Sequence, residues 1–166
     1  TPLYSSAASD VYKRQAPESQ IGTKTYSCAY VEPTKSGSGI NVKTANITWV
    51  TSSMIASTLA SLGITDANCV IAANFPVSGT GALTGVMKAY EDATGKPLDE
   101  KKKEIATEEL VVTGDLGQDV GKDKATGIIN DIKTQVIKNN TSDTVQIADT
   151  INNITCLLYT SPSPRD

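Results

Sequence analysis

Histidine is absent from the 166-residue sequence, and this absence limits the chemistry open to the chain. Histidine is the commonest general base and a frequent metal ligand, so Ser-His-Asp and Cys-His catalytic sites are excluded within these residues. The carboxylates that remain show no pair singled out by spacing: Glu32, Asp66, Glu91, Asp92, Glu108 and Glu109. We read Glu108 and Glu109 as a solvated helix edge. The sequence favours a protein that binds over one that catalyses.

Both ends of the chain read as translated sequencing adapters rather than as native protein. Ser5–Gln15 (SSAASDVYKRQ) and Cys156–Asp166 (CLLYTSPSPRD) translate the two transposase adapters of a sequencing library, and Thr1–Tyr4 fits the bases before the first. We therefore expect residues 1–15 and 156–166 to be non-native, with irregular or accidental structure. Residues 16–155 are then a domain truncated at both ends, whose export signal would lie outside the fragment.

Arginine is missing from residues 16–155, because Arg14 and Arg165 both lie in the predicted adapters. The chain has 15 basic and 18 acidic residues; the ends hold three and two of these, which leaves 12 and 16 and a net charge of −4. Nucleic-acid phosphates need clustered Lys and Arg. The one basic run, Lys101–Lys103, is flanked by acids and is typical of a solvated helix face. We expect no nucleic-acid partner.

Long apolar runs, aromatic residues and cysteines are also scarce. No stretch approaches the roughly 18 apolar residues that cross a bilayer, so we expect no membrane-spanning segment in this fragment. Residues 16–155 hold five aromatic residues, which predicts an aliphatic core. Their two cysteines, Cys28 and Cys69, each lie in a strand-like run. Two buried thiols are favoured, and a disulfide stays open.

Hydrophobic alternation predicts the strands of the first half. Thr23–Glu32 and Ile40–Val50 alternate and are joined by the Gly-containing loop Thr34–Gly39, which predicts a β-hairpin. A helix over Ser52–Leu62 and a short apolar strand, Asn68–Ala73, then complete a β-α-β unit.

Helical periodicity dominates the second half. Helices are predicted from the turn at residues 78–81 to about Thr94, over Leu98–Val112, over Lys122–Asn139 and after Asp143. Asp115–Gly121 is punctuated by glycine and is predicted to interrupt them. The fold class is therefore α+β, with a strand-rich part at residues 21–77 and a helical part at residues 78–155.

The segment Val77–Gly85 (VSGTGALTG) is the one site-like motif. A strand, a Gly-rich turn and a helix start expose backbone N–H groups to an anion, so Ser78, Gly79, Thr80 and Gly81 are the candidate ligand-binding residues. The glycine spacing misses the dinucleotide pattern by one residue. A capped helix start with glycines for tight packing is the interpretation that the pattern favours.

Three aspartates offer the only other candidate site. Asp115, Asp119 and Asp123 are four residues apart, a spacing that would align carboxylates on one helical face for a hard cation. No calcium-loop pattern accompanies them, and Gly114, Gly117 and Gly121 are expected to interrupt the helix. Capping and solvation are favoured, and we expect no metal and no cofactor.

Four segments resemble the bacterial family catalogued as domain of unknown function 1002. They are Ala29–Pro33 (AYVEP), Gly37–Thr51 (GSGINVKTANITWVT), Val77–Gly85 and Glu108–Gly117 (EELVVTGDLG). The resemblance runs from about Ile21 to Ile154 and implies a secreted protein, mainly of Gram-positive bacteria. The family has no assigned catalytic residues. Its members commonly carry Ala where this chain has Gly81, which argues against Gly81 as a required phosphate contact.

Two functions follow as expectations. The first is a non-enzymatic extracytoplasmic module that binds a surface component or a partner protein. The second is a protein that binds a small anionic ligand, or an enzyme, through the turn in Val77–Gly85. The sequence assigns no reaction and no ligand.

Overall fold

The structure is a computed structural model that describes residues 26–140 and 143–160. In these residues the elements run β1 (Ser27–Pro33), β2 (Ile40–Ile47), α1 (Ser52–Ser61), β3 (Ala67–Val77), α2 (Ala82–Thr94), α3 (Glu100–Val120), α4 (Lys122–Lys138) and α5 (Thr144–Thr160). Strands occupy the first half and helices the second. The predicted α+β class is confirmed.

The three described strands form one sheet in the order β1-β3-β2. β2 and β3 are parallel and α1 connects them, so the predicted β-α-β unit is confirmed. The predicted β-hairpin between the first two strands is wrong, because β3 lies between them and pairs antiparallel with β1. The last of these three strands in the sequence therefore lies at the centre of the sheet.

The linker between β1 and β2 explains why the hairpin does not close. Its six residues, 34–39, suffice to span two strand spacings, roughly 10 Å, whereas a tight hairpin turn commonly needs only two. The linker bonds to the start of β3: the Thr34 amide donates to the Asp66 carbonyl at 3.3 Å, and the Ala67 amide donates to the Gly39 carbonyl at 3.1 Å. These bonds leave the central position open to β3.

β3 continues four residues beyond its predicted end and passes through Pro76. The pairing with β2 shifts between Ala45 and Ile47, where Asn46 adopts a positive φ of 59° and its side-chain amide donates to the Ala73 carbonyl at 2.8 Å. Proline lacks an N–H and is tolerated at such irregularities. The prediction that residues 74–77 leave the strand is therefore wrong.

One face of the sheet carries the core. Buried side chains of β3, among them Cys69 and Ile71, pack against α1 and α2 together with Leu83. The core is aliphatic, as the composition predicts. Side chains of the opposite face alternate with these, and Tyr30 and Val70 are exposed there. Burial on one face fixes the register of each strand, since a slip by one residue would expose the buried set.

Cys28 and Cys69 lie on opposite faces of the sheet, and both are free. Cys69 is buried and pairs in register with Val31, while Cys28 is half-buried and pairs with Ala72. The expectation of free thiols is confirmed, although only Cys69 is fully buried.

Burial raises the pKa of the Cys69 thiol to about 11. The thiolate is the reactive form, so we expect Cys28 to be alkylated well before Cys69 in the folded protein. Mass spectrometry of a Cys156→Ser variant during iodoacetamide treatment measures both rates. Equal alkylation rates of the two thiols in native buffer would contradict the burial of Cys69. Urea provides the control, because the two rates should become similar when the protein is unfolded.

An ion pair fastens α2 to the start of α3. The Glu91 carboxylate accepts from Lys103 Nζ at 2.7 Å and from the Leu98 amide at 2.7 Å. Burial acts to raise the pKa of Glu91, but the hydrogen bonds from Lys103 and Leu98 and the lysine charge outweigh it. The pKa of Glu91 therefore lies below its usual value.

This depressed pKa makes stability sensitive to acid. Glu91 contributes its stabilisation fully above its unfolded pKa of about 4.3, and the contribution is lost as pH falls through the lower folded pKa. We expect the unfolding free energy of the natural chain to fall more steeply below about pH 4.3 than that of Glu91→Gln. Urea unfolding at several acidic pH values measures both slopes, and parallel curves would count against this role.

α3 runs without interruption through Gly114 and Gly117, so the predicted break at residues 115–121 is wrong. Both glycines are buried, and their missing Cβ atoms make room for neighbours: Trp49 covers Gly114, and Lys122 packs on Gly117. The helix ends only at Gly121, whose φ of 90° breaks it before α4. Packing from distant residues stabilises helix where the local sequence disfavours it.

The three aspartates of the cation hypothesis are divided by this break. Asp115 and Asp119 belong to α3, and Asp123 lies in the first turn of α4, where it accepts a hydrogen bond from Ser53 at 2.9 Å. Asp123 therefore links α4 to α1. No group of three or more metal-ligating acidic or thiol side chains occurs within the described part of the chain.

The last helix crosses the predicted boundary at Thr155. α5 includes Cys156–Thr160, so these five residues are helical rather than irregular. Residues 1–15 lie outside the described residues. The adapter assignment and the domain boundaries derived from it stay predictions.

Candidate functional site: a polar cleft around Lys133

Three serines line one side of α1. Ser53, Ser57 and Ser61 recur every four residues, and this spacing places them on one helical face. The opposite face of α1 is apolar and enters the core through residues such as Ile55 and Leu59. The serine face is consequently turned toward α3 and α4.

Lys133 of α4 binds this serine face and joins it to α3. Its Nζ donates to Glu109 Oε1 at 2.8 Å, to Ser57 Oγ at 2.9 Å and to Ser61 Oγ at 3.0 Å. The same Nζ lies 3.4 Å from the Ser57 carbonyl. A lysine ammonium carries three hydrogens, so these four contacts share all of its donors. The lysine side chain is 30% exposed and the glutamate side chain 12%, which makes this a half-buried ion pair.

Glu109 completes the network from the α3 side. Its Oε2 accepts from Ser61 Oγ at 2.6 Å, and Ser57 Oγ lies 3.1 Å from its Oε1. Ser57 Oγ also lies 2.6 Å from Asn130 Oδ1. A hydroxyl has one proton, so Ser57 donates either to Asn130 or to Glu109 while it accepts from Lys133.

An open cleft of about 620 Å³ lies beside this network, between α1 and α4. We call it the Lys133 cleft; it is lined by Ser53, Ala56, Ser57, Ala60, Ser61, Thr126, Asn130, Lys133, Thr134 and Ile137. Most of these side chains are small or carry a hydroxyl. Ile137 stands at the rim with 77% of its surface exposed. A volume in this range is typical of small-ligand sites.

The arrangement supports hydrogen bonding better than nucleophilic attack. A serine next to a lysine can be activated when the lysine is neutral and accepts the hydroxyl proton. Here Lys133 Nζ donates both to Glu109 Oε1 and to Ser57 Oγ, so its contact with Ser57 is that of a donor rather than of a base. Ser57 is thus an acceptor toward Lys133, and no base is aligned to remove its proton at this contact.

The sequence-predicted site lies elsewhere, at the start of α2. Gly79 and Thr80 are buried, while Ser78 and Gly81 are half-exposed. Gly79 has a φ of 82°, and an added Cβ would overlap Ile47. The structure keeps Ser78, Gly79, Thr80 and Gly81 together in one turn, but they take no part in the Lys133 cleft.

Backbone bonds of that turn are directed at its neighbours. The Ser78 carbonyl accepts from the amides of Trp49 and Val50, both at 3.1 Å, and the Ser78 and Thr80 hydroxyls lie 3.4 Å apart. These contacts give the turn a packing role. Whether it also binds an anion stays a prediction.

Sequence reasoning missed the cleft and misinterpreted Glu109, which pairs with Lys133. Glu108 is exposed as expected of a helix edge, but Glu109 is half-buried and paired, so the shared interpretation of the two glutamates is wrong for Glu109. The available signal was the serine repeat on α1. Small polar residues on a helix face are usually solvated, so the serine repeat alone does not indicate a cleft.

Comparison with known proteins now gives the chain its family. Residues 4–159 match the family described as "Protein of unknown function (DUF1002)". The chain belongs to this family. The DUF1002 match confirms the resemblance carried by the four sequence segments.

The chain is also similar to a curated protein, "Uncharacterized protein YpuA" of Bacillus subtilis (strain 168). The two are 40% identical over 124 residues, which are 75% of this chain and 43% of the relative. The chain therefore spans less than half the length of that relative. No solved structure matches the chain. Among the helices of residues 26–140 and 143–160, none is both long and apolar enough to cross a membrane.

Proposed function

We propose that this DUF1002 protein is a non-enzymatic extracytoplasmic binding module and that the Lys133 cleft is its binding site. The location outside the cytoplasm rests on the sequence resemblance to predicted secreted proteins. The occupant is a group of a cell-surface component or of a partner protein. A cleft of about 620 Å³ is large enough for one or two sugar rings or for a few protein side chains.

One observation supports this proposal: a wall of the cleft is built around an ion pair whose charged groups are hydrogen-bonded to each other and to two serines. Lys133 and Glu109 come from different helices, and two serines of a third helix bridge them. Half-buried polar groups on three elements hold each other in fixed positions. Such preorganised donors and acceptors favour binding, because little order remains to be imposed when a ligand arrives.

Cell-wall sedimentation tests the proposal. Purified walls of Bacillus subtilis, the source of the curated relative, are mixed with the 166-residue chain and centrifuged. We expect Lys133→Met to weaken wall binding roughly tenfold, since it removes the ammonium that holds Ser57 and Ser61 in place at the cleft wall. The matched control is Lys103→Met, which breaks the similarly half-buried Glu91–Lys103 pair away from the cleft.

A second variant distinguishes a loss of binding from a loss of folding. Lys133→Met combined with Glu109→Leu removes both charges, so no buried charge is left unpaired. If this double variant binds walls like the natural chain, the Lys133 cleft is not the binding site. Equal losses in Lys133→Met and Lys103→Met would also contradict the proposal.

The extracytoplasmic location has its own test. An epitope-tagged full-length relative from Bacillus subtilis is expressed in its host, and the medium, wall and cytoplasmic fractions are probed. We expect the mature protein in the medium or wall fraction. Recovery in the cytoplasmic fraction alone would overturn this part of the proposal.

Anion binding by the turn in Val77–Gly85 is the second candidate. Gly81 begins α2 without a side-chain cap, and no acidic residue lies in the first turn of that helix. Uncapped amides at a helix start attract negative charge. We expect Thr80→Val to abolish any stabilisation by inorganic phosphate in a thermal-shift assay. Unchanged stabilisation in this variant would exclude the turn.

A further inference from the structure

We infer that the Lys133 cleft takes a neutral ligand rich in hydroxyl or amide groups, such as a unit of a saccharide, rather than an anion. The inference rests on the proposed function, because it names the ligand class for the same site. It follows from the charge of the cleft, from the polar atoms that line it and from the methyl groups among them.

The charge of the cleft does not select an anion. Lys133 is the cation of the lining, and its three hydrogens are directed at Glu109, Ser57 and Ser61. Glu109 lies 2.8 Å from the ammonium and cancels its charge locally. Near Ser53, Asp123 adds a negative charge to the same side. A phosphate or carboxylate entering the cleft would have to displace Glu109 from Lys133.

The remaining lining atoms match hydroxyl and amide groups. Ser53 donates its hydroxyl proton to Asp123 and Thr126 donates to the Lys122 carbonyl, so these two hydroxyls offer acceptor lone pairs. The exposed Thr134 hydroxyl can both donate and accept. Asn130 presents an amide whose Oδ1 lies 2.6 Å from Ser57 Oγ. Among the described residues, none accepts a hydrogen bond from Asn130 Nδ2, so that group has two donors for a ligand. Mixed donors and acceptors are what a polyhydroxyl ligand requires.

The apolar part of the cleft comes from alanine methyl groups and one isoleucine. Ala56 and Ala60 lie between the three serines on α1 and present methyl groups to the cleft. Ile137 adds an exposed aliphatic side chain at the rim. A sugar ring has both C–H surfaces and hydroxyls, so it can cover the methyl groups while its polar edge bonds to Asn130 and the hydroxyls.

Nuclear magnetic resonance titrations test the ligand class. The ¹⁵N-labelled chain is titrated separately with di-N-acetylchitobiose, with maltose and with inorganic phosphate at constant ionic strength. We expect a neutral sugar to shift amide signals of α1 and α4 around Ser57 and Asn130, and phosphate to leave them unchanged. Shifts with phosphate alone, or with none of the three probes, overturn the inference.

Neutralising the carboxylate paired with Lys133 sharpens the test. Glu109→Gln frees the ammonium of Lys133, so we expect sugar affinity to fall roughly tenfold and phosphate binding to appear. Asn130→Ala should weaken sugar binding without creating phosphate binding. The control is Glu91→Gln, which makes the same change in the ion pair outside the cleft. Phosphate binding by the control as well would contradict the assignment to Lys133.

These outcomes are distinguishable from those of the wall-binding experiment. If walls bind through Lys133 but no neutral sugar shifts the cleft signals, the ligand class is wrong and the binding module stands. If sugars shift the cleft but walls do not bind, the cleft chemistry stands and the surface role is wrong.

Discussion

Replacing Gly114 with alanine is expected to destabilise the protein by about 1–3 kcal/mol, the range found when extra atoms are forced into a packed site. The Trp49 ring packs on the bare backbone of α3 at Gly114, and an added Cβ would overlap three atoms of that ring. Either Trp49 must leave its place against the core or α3 must shift. Urea unfolding, followed by circular dichroism, measures the loss.

Gly127→Ala is the matched control, because Gly127 is also a helical glycine but an added Cβ would meet nothing within 4 Å. Alanine is favoured over glycine in an exposed helix by up to about 1 kcal/mol, so this variant should gain stability. The two substitutions are chemically identical and are predicted to have opposite signs. A gain in stability for Gly114→Ala would contradict the packing of Trp49 on α3.

A double variant locates the cause of the effect. If the clash with the indole ring explains the loss, Trp49→Leu should reduce the additional cost of Gly114→Ala. Residues in contact show such coupling, whereas distant residues are additive. Full additivity would indicate that alanine disturbs α3 in some other way.

The same contact shows where sequence reasoning stops. Glycines at residues 114, 117 and 121 look alike as helix breakers, and only Gly121 breaks the helix. At Gly114 the helix is stabilised by the packing of Trp49, which is 65 residues away in the sequence and contributes no local signal. The hydrophobic periodicity of α4 is a local property of the sequence, and the predicted and observed ends of this helix agree within one residue.

The existence of a strand could be predicted from the local sequence, but the pairing of the strands could not. Alternation along β1 and β2 identified both strands, because one face of each is buried. Their pairing was predicted from the shortness of the linker, which assumes that neighbours in sequence pair with each other. Alternate β3 residues are buried in the core shared with the helices, and this burial favours the central place for that strand.

The candidate site was beyond the reach of motif reasoning for a physical reason. The turn in Val77–Gly85 is continuous in sequence, so its pattern could be read directly. The Lys133 cleft joins α1, α3 and α4, and Ser57 is separated from Glu109 by 52 residues and from Lys133 by 76. No spacing rule connects three helices before their packing is known.

The ion pair at the cleft should respond strongly to the loss of one partner. Lys133→Met leaves the Glu109 carboxylate half-buried with only serine hydroxyls as donors. An uncompensated group of this kind costs about 1–3 kcal/mol, and more when it is fully buried and charged. We expect a loss in that range in urea unfolding at neutral pH. A loss below about 0.5 kcal/mol, the usual effect of a surface substitution, would show that Glu109 is well solvated.

Removing both partners should restore most of that stability. A well-packed apolar pair can replace a buried ion pair with little or no loss, so Lys133→Met with Glu109→Leu is expected to unfold near the free energy of the natural chain. The same double variant is expected to lose wall binding. A pair that can be exchanged for Met and Leu without loss of stability is not needed for folding. Stability near the natural value together with lost binding would therefore assign Lys133 and Glu109 to ligand recognition, and retained binding would exclude the Lys133 cleft as the binding site.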